Sequence, residues 1–229
     1  MFIIRHSGLD ILDLGRVSFK QAFLFQLKIH NQVVSADKPD TLILCEHPPT
    51  ITLSRNSNVD NIINYELIKK RNFDFVIGLN RGGEVTYHGP GQLVGYLIFD
   101  LRKIHRDLSI FFDKIESALI GTLQALEINA SKKAKFRGVW VKDKKIASIG
   151  IGIDRFVSMH GFALNVNVEL EHFSLIRPCG LDIEMTSIEK ERGHRIPLLM
   201  LKRIIAESFM KEFVLSLSKK DRRENVCYV

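Results

Sequence analysis

Apolar residues along the chain come in short runs separated by charged and turn-forming residues, and the spacing within each run predicts an element. Residues 2–5 read as a strand, after which Phe19, Phe23 and Leu27 recur every fourth position and predict a helix. The run Thr-Leu-Ile-Leu-Cys from Thr41 predicts a buried strand, closed by Pro48 and Pro49. Residues 61–71 have helical character and 73–79 read as a strand, and a glycine-rich loop over 81–91 leads into a further strand from Gln92. Asp107 is placed to cap a helix running to Leu126, with Leu108, Phe111, Phe112, Ile115, Leu119 and Leu123 as its apolar stripe. Three strand-like runs follow from Phe136, Lys145 and Val157, and connections as short as Asp143-Lys144 favour antiparallel pairing. An amphipathic helix over 197–217 closes the pattern. This order predicts an α+β domain, a mainly antiparallel mixed sheet packed with helices, rather than a βαβ repeat.

Composition narrows the class. At 229 residues, with no internal repeat or low-complexity linker, a single domain over 1–229 is expected, the charge-dense 219–225 stretch being a solvated end. The chain is 45% hydrophobic and 26% charged, with a mean hydropathy of +0.03, as in ordinary globular proteins. No apolar run approaches the roughly 20 residues of a membrane span. The opening residues lack a signal peptide's basic region and cleavage site, so a cytoplasmic protein is expected. Cys45, Cys179 and Cys227 show no CxxC or CxxH spacing, which argues against a disulfide framework and a structural zinc site and for reduced thiols. A net charge of +7 and a pI near 9.3 suit an acidic partner, but charge alone does not choose between nucleic acid, a membrane surface and an acidic protein.

Candidate chemistry first appears in the loop. Gly82, Gly83, Gly89 and Gly91 share residues 81–91 with Arg81, Glu84, Thr86, Tyr87 and His88, so the backbone can approach a ligand closely. The spacing is neither GxxxxGK[ST] nor GxGxxG, which leaves a cradle for a non-nucleotide ligand. Cys45 ends an apolar run as a core residue and Cys227 lies in the polar tail. Cys179 sits between Pro178 and Gly180, a stiff turn that can present a thiol, although a buried structural cysteine fits the same local pattern. Lys145 reads locally as a solvated hairpin lysine like Lys142 and Lys144. His88 and His160, each near glycine in apolar surroundings, fit satisfied core histidines or two linings of one pocket.

The segment RGGEVTYHGPGQLVGY over 81–96 resembles the signature of the lipoyl(octanoyl) transferases. KKIASIGIGI from Lys144, HGFALNVN from His160 and PCGL from Pro178 resemble the same family in the same order, as does EHPPTITLSR from Glu46. Ser54 stands where the family usually has glycine, and Leu97 where proline usually follows Gly-Tyr. The resemblance implies the fold of the biotin and lipoate protein ligases. It aligns Cys179 with an acyl-thioester nucleophile and Lys145 with the lysine that lowers its pKa. It also aligns three substrate-binding stretches: Arg81, Gly82, Gly83, Glu84, Val85, Thr86, Tyr87 and His88; Ser148, Ile149 and Gly150; and Gly161, Phe162 and Ala163. Val85, Ile149 and Phe162 flank these stretches as tunnel lining, and backbone N–H groups near Gly180 or over 81–83 are candidates for an oxyanion site.

The implied reaction is ping-pong transfer of octanoyl from octanoyl-acyl carrier protein to a lysine of lipoyl domains, those of 2-oxoacid dehydrogenases and the glycine cleavage H protein. Thioester exchange followed by amide formation needs no ATP, cofactor or metal, and neither nucleic acid nor membrane is an expected partner. The rival readings are an ATP-dependent lipoate-protein ligase of the same fold, an octanoyl amidotransferase between carrier domains, and a non-catalytic module that holds acylated carriers. An assay with and without ATP separates the ligase, covalent acylation of the chain excludes the non-catalytic module, and the amidotransferase differs in its donor and not in the thioester chemistry.

Overall fold

In the computed structural model of the protein, described over residues 3–6, 8–104, 106–134, 136–177 and 183–215, the strands form two sheets. The larger has eight strands in the order β1 (Ile3–His6), β2 (Leu9–Arg16), β3 (Asp40–Glu46), β7 (Gln92–Ile98), β11 (Val157–Asn165), β10 (Lys144–Asp154), β9 (Phe136–Val141) and β8 (Ser131–Lys133). Only β2 and β3 run parallel within it. The smaller sheet sets β4 (Thr50–Ser54) between β5 (Asp74–Leu79), parallel to it, and β6 (Thr86–His88), antiparallel.

Alternation along the central strands explains why they read as continuous apolar runs. Leu42, Leu44, Leu93, Leu97, Phe162 and Leu164 face a core shared with helices α3 (Leu108–Gln124) and α5 (Leu198–Met210). Ile43, Cys45, Val94, Tyr96 and Ala163 face the opposite side, covered by α1 (Phe19–Val34). A third apolar cluster, including Ile51, Leu53, Phe73, Val85, Tyr87 and Phe173, underlies the small sheet together with α2 (Tyr65–Lys70). A five-residue helix, α4 (Ile188–Arg192), precedes α5. The expected α+β architecture is therefore present.

Several local expectations change. The strand β2 escaped the hydrophobic pattern because Asp10 and Asp13 lie inside it, both buried. Lys38 pairs with Asp10, and Lys202 of α5 donates to Asp13 at 2.7 Å, so charges distant in sequence neutralise them. Strand β4 begins directly after Pro49, and the glycine-rich segment predicted as a loop over 81–91 contains the short strand β6. The predicted helix over 61–71 is a 3-10 turn, Val59–Asn61, followed by α2. On α1 the buried face is Phe19, Ala22, Gln26, Ile29, His30 and Val33, while Leu27 is exposed. Gln26 Nε2 has no hydrogen-bond partner among the described residues, a cost of about 1–3 kcal/mol. Asp107 caps α3 as expected, its carboxylate accepting from the Ser109 and Ile110 N–H groups at 2.8 and 3.2 Å, although Leu108 faces solvent. The terminal helix gives way to a π-helical turn at Lys211–Leu215.

Candidate active site

The two sheets meet where the loop after β5 crosses β10. The Arg81 guanidinium ties this loop to β4, donating to the Thr52 hydroxyl at 2.8 Å, the Thr52 carbonyl at 3.1 Å and the Glu84 carbonyl at 2.9 Å. The Gly82 N–H donates to the Ile151 carbonyl at 2.9 Å. That approach requires glycine at 150, since a Cβ there would stand 2.7 Å from the Gly82 oxygen.

Below the crossing lies a narrow cavity of about 50 Å³. Arg81, Gly82, Gly83, Val85, Thr86 and His88 form one side of it, Ser148, Ile149 and Gly150 of β10 another, and Gly161, Phe162 and Ala163 of β11 a third, with His160 beside them. Three segments remote in sequence thus line one cavity. Glu84 and Tyr87 are not part of it. The Glu84 carboxylate accepts the Asn61 side-chain amide, and Tyr87, turned to the other face by the alternation of β6, meets His172 Nδ1 through its hydroxyl at 2.7 Å. Phe19, Val94 and Tyr96 complete the lining without having been singled out in the sequence. Tyr96 ends the recognised signature and Phe19 heads the apolar stripe of α1, which were the available signals.

Hydrogen bonding fixes the state of the wall. Gln92 Nε2 donates to Asn165 Oδ1 at 3.0 Å and to the Tyr87 carbonyl at 3.2 Å, so its Oε1 accepts from His88 Nδ1 at 2.8 Å. Asn165 Nδ2 donates in turn to the Thr186 carbonyl at 3.0 Å, and the Thr186 N–H to the Lys145 carbonyl at 2.9 Å. A continuous chain of bonds therefore runs from the cavity to Lys145. On the other side His47 Nδ1 donates to the Val17 carbonyl at 2.7 Å, leaving its Nε2 to accept the Tyr96 hydroxyl at 2.6 Å. Burial pushes the pKa of His88 down to about 3 and that of His160 to about 4, and lowers that of His47. Neutral imidazoles and apolar groups thus face the cavity, with Arg81 as the charged residue in the described lining.

Lys145 is not the solvated lysine of the local reading. It is 4% exposed, with Nζ 5.3 Å from the Trp140 ring centroid, whereas Lys142 is exposed and Lys144 pairs with Glu184 at the surface. Space for its side chain comes from Gly138 on the neighbouring strand, where a Cβ would stand 2.5 Å from Lys145 Cε. The Lys145 N–H donates to the Glu184 carbonyl at 2.9 Å, and Lys145 pairs in parallel with Met185. Cys179, with Pro178 and Gly180, lies outside the described residues; the chain resumes at 183 and is bonded to Lys145 within two positions. Cys227 is also outside them. Cys45 is fully buried, its thiol pKa raised by desolvation. Of the proposed oxyanion donors, the Gly82 N–H is already committed to Ile151. No group of three His, Cys, Asp or Glu side chains stands where it could hold a metal among the described residues.

The arrangement of two sheets, flanking helices and a cavity under a glycine-rich crossing is that of the lipoate protein ligase class. A crystal structure of lipoate-protein ligase A bound with ATP superposes with a TM-score of 0.72 over 88% of this chain and 84% of that one, at 14% identity, a likeness of fold. The sequence family of the lipoyl protein ligase A/B catalytic domain matches residues 18–210. Within that class the octanoyltransferase of Geotalea uraniireducens is 38% identical over 93% of this chain and 99% of its own length. That of Caldicellulosiruptor saccharolyticus is 40% identical over 94% of each. The chain belongs to the octanoyltransferase family.

Proposed function

We propose that this chain is a single catalytic domain that transfers an octanoyl group from octanoyl-acyl carrier protein to a lysine of lipoyl domains through a thioester on Cys179. The observation that carries the reading is the burial of Lys145, a cation held beside Trp140 and strapped by both backbone groups to the segment that follows Cys179. An ammonium near a thiol favours the thiolate. In the first half-reaction the Cys179 thiolate attacks the donor thioester, the carbonyl–sulfur bond of the carrier breaks, and the departing phosphopantetheine thiolate takes a proton from Lys145. In the second, the acceptor lysine's amine attacks the Cys179 thioester. The neutral Lys145 amine takes its proton as the amide forms and the thiolate is restored. The largely apolar cavity, its histidines neutral, suits the acyl chain, with Val85, Ile149 and Phe162 among its walls.

The acceptors are read as the lipoyl domains of 2-oxoacid dehydrogenases and the glycine cleavage H protein, and the place of action as the cytoplasm; no described helix is long and apolar enough to cross a membrane. Intact mass spectrometry after incubation with octanoyl-carrier protein, without ATP, tests the mechanism. One octanoyl adduct, mapped to Cys179, removed by hydroxylamine and absent from Cys179→Ser, is the expected result. Cys45→Ala and Cys227→Ala should still acylate and transfer. An adduct on Cys45, or a requirement for ATP, would overturn the reading.

A further inference from the structure

Asp10, Asp13 and Glu116 are the acidic residues buried among those described. Lysines neutralise Asp10 and Asp13, but Glu116, on the buried face of α3, is held otherwise. Its Oε1 accepts the Gly138 N–H at 3.0 Å, and its Oε2 has the half-exposed Arg137 guanidinium at 3.7 Å. Gly138 is the residue whose missing side chain makes room for Lys145, since a Cβ there would stand 3.3 Å from Nζ. The register of β9 against β10 shifts between Lys145 and Ala147, beside the same glycine. One glycine thus separates a buried carboxylate from a buried ammonium, and the dimensions of a single residue put the two charges at most about 9 Å apart.

We propose that Glu116 is a positioning residue of the site, whose negative charge, fixed behind Gly138, keeps the Lys145 ammonium protonated. This rests on the reading of Lys145 as the cation that serves Cys179. Burial disfavours a charged amine, and a carboxylate within the same dry region opposes the loss of its proton. At an effective dielectric of about 20, a unit charge about 9 Å away still displaces a titration by about one pH unit. Arg137 offsets part of this, but it is open to water. The other charged groups around Lys145 lie at the surface in pairs. Lys133, 4.6 Å from the Trp140 ring centroid, meets Asp143; Lys144 and Lys190 share Glu184; and Asp113 meets Lys132 and Arg137. Glu116 is the buried acid of that set.

The rate of acyl-enzyme formation from octanoyl-carrier protein, followed across pH by intact mass spectrometry of the quenched full chain, tests the proposal. The ascending limb of the profile reports formation of the thiolate and the descending limb loss of the Lys145 proton. Glu116→Gln keeps an acceptor for the Gly138 N–H and removes the charge. Taking a negative charge away from the pair favours the thiolate and disfavours the ammonium, so both limbs should move to lower pH by about one unit. Glu116→Met fills the same space without an amide to bury, should shift the limbs in the same direction, and decides the matter if Glu116→Gln does not fold. Glu116→Asp keeps the charge, and should leave both limbs within about 0.3 unit of the wild type even where the rate falls. Folded neutral variants with wild-type limbs, or a Glu116→Asp profile displaced as far as that of Glu116→Gln, would overturn the role of the charge while leaving octanoyl transfer intact. A wild type in which no acyl-enzyme forms defeats the reading of Lys145 and this proposal together.

Discussion

Replacing Gly138 by alanine adds one methyl group at the point where the protein makes room for Lys145. The new Cβ would stand 2.5 Å from Lys145 Cε and 2.5 Å from the Ala147 carbonyl oxygen, and 3.3 Å from Lys145 Nζ. The lysine tip can yield, but the carbonyl belongs to the β9–β10 ladder and cannot move alone. Gly138 also has a φ of +126°, where a side chain costs about 1–3 kcal/mol. Together these should destabilise the fold by about 2–4 kcal/mol. For a chain of this size that lowers Tm by roughly 5–15 °C. On the proposed pairing of Lys145 with the Cys179 thiolate, the chemical effect follows from Coulomb's law: at an effective dielectric of about 20, a retreat of such an ammonium from about 4 to about 6 Å would lose about 1.4 kcal/mol of attraction. That is about one pKa unit upward for the thiol, and about tenfold less thiolate at neutral pH. The assay is iodoacetamide alkylation of Cys179 across pH, run beside transfer kinetics below the variant's Tm. The ascending limb should move to higher pH by about one unit. A folded Gly138→Ala protein whose alkylation profile and turnover match the wild type would refute the argument that Gly138 sets the position of the site's cation.

Three further outcomes are expected. Lys145→Met, which keeps the length and removes the charge, should cut transfer by about 100-fold or more, while Lys142→Met and Lys144→Met change it little; equal losses at all three would mean the wrong lysine has been assigned. His88 and His160 have pKa values held below the ordinary 6.5, so the unfolded chain binds more protons as pH falls through 6.5 and stability is lost towards their folded values near 3 and 4. Each should cost about 2 kcal/mol between pH 7 and pH 5, and urea midpoints that stay level over that range would contradict the burial argument. The net charge of +7 should steer an acidic carrier protein, so added salt should lower kcat/KM for octanoyl-carrier protein far more than for a small neutral octanoyl thioester; parallel salt dependence would leave the charge with a solubility role alone.

Elements whose signals are local were legible in the sequence. Asp107 followed by an apolar stripe announced α3 because cap and stripe lie within one helix. The hairpins joining β9, β10 and β11 were readable because their turns are short, with Lys142, Arg155 and Phe156 taking the positive φ such turns demand. The signature over 81–96 and the three later segments carried the family, and with it the fold class.

What the sequence left open depended on partners far along the chain. Strand β2 looked like neither a strand nor a helix until Lys38 and Lys202 were seen to neutralise Asp10 and Asp13. The buried face of α1 includes Gln26 and His30 because His160 and Asp154, more than a hundred residues later, supply their hydrogen bonds. Lys142, Lys144 and Lys145 are equivalent by composition, and only the strap at 184–186, Trp140 and the missing side chain at Gly138 bury one of the three. The same holds for the cavity, since His88, Ser148 and Phe162 line one cavity only after two sheets have closed on each other. Residue identity determines which groups can act, and local periodicity determines many of the elements. Which of the groups lose water, and therefore change their charge state and reactivity, is decided by non-local packing, because desolvation depends on every segment that surrounds a side chain and not on its neighbours in sequence.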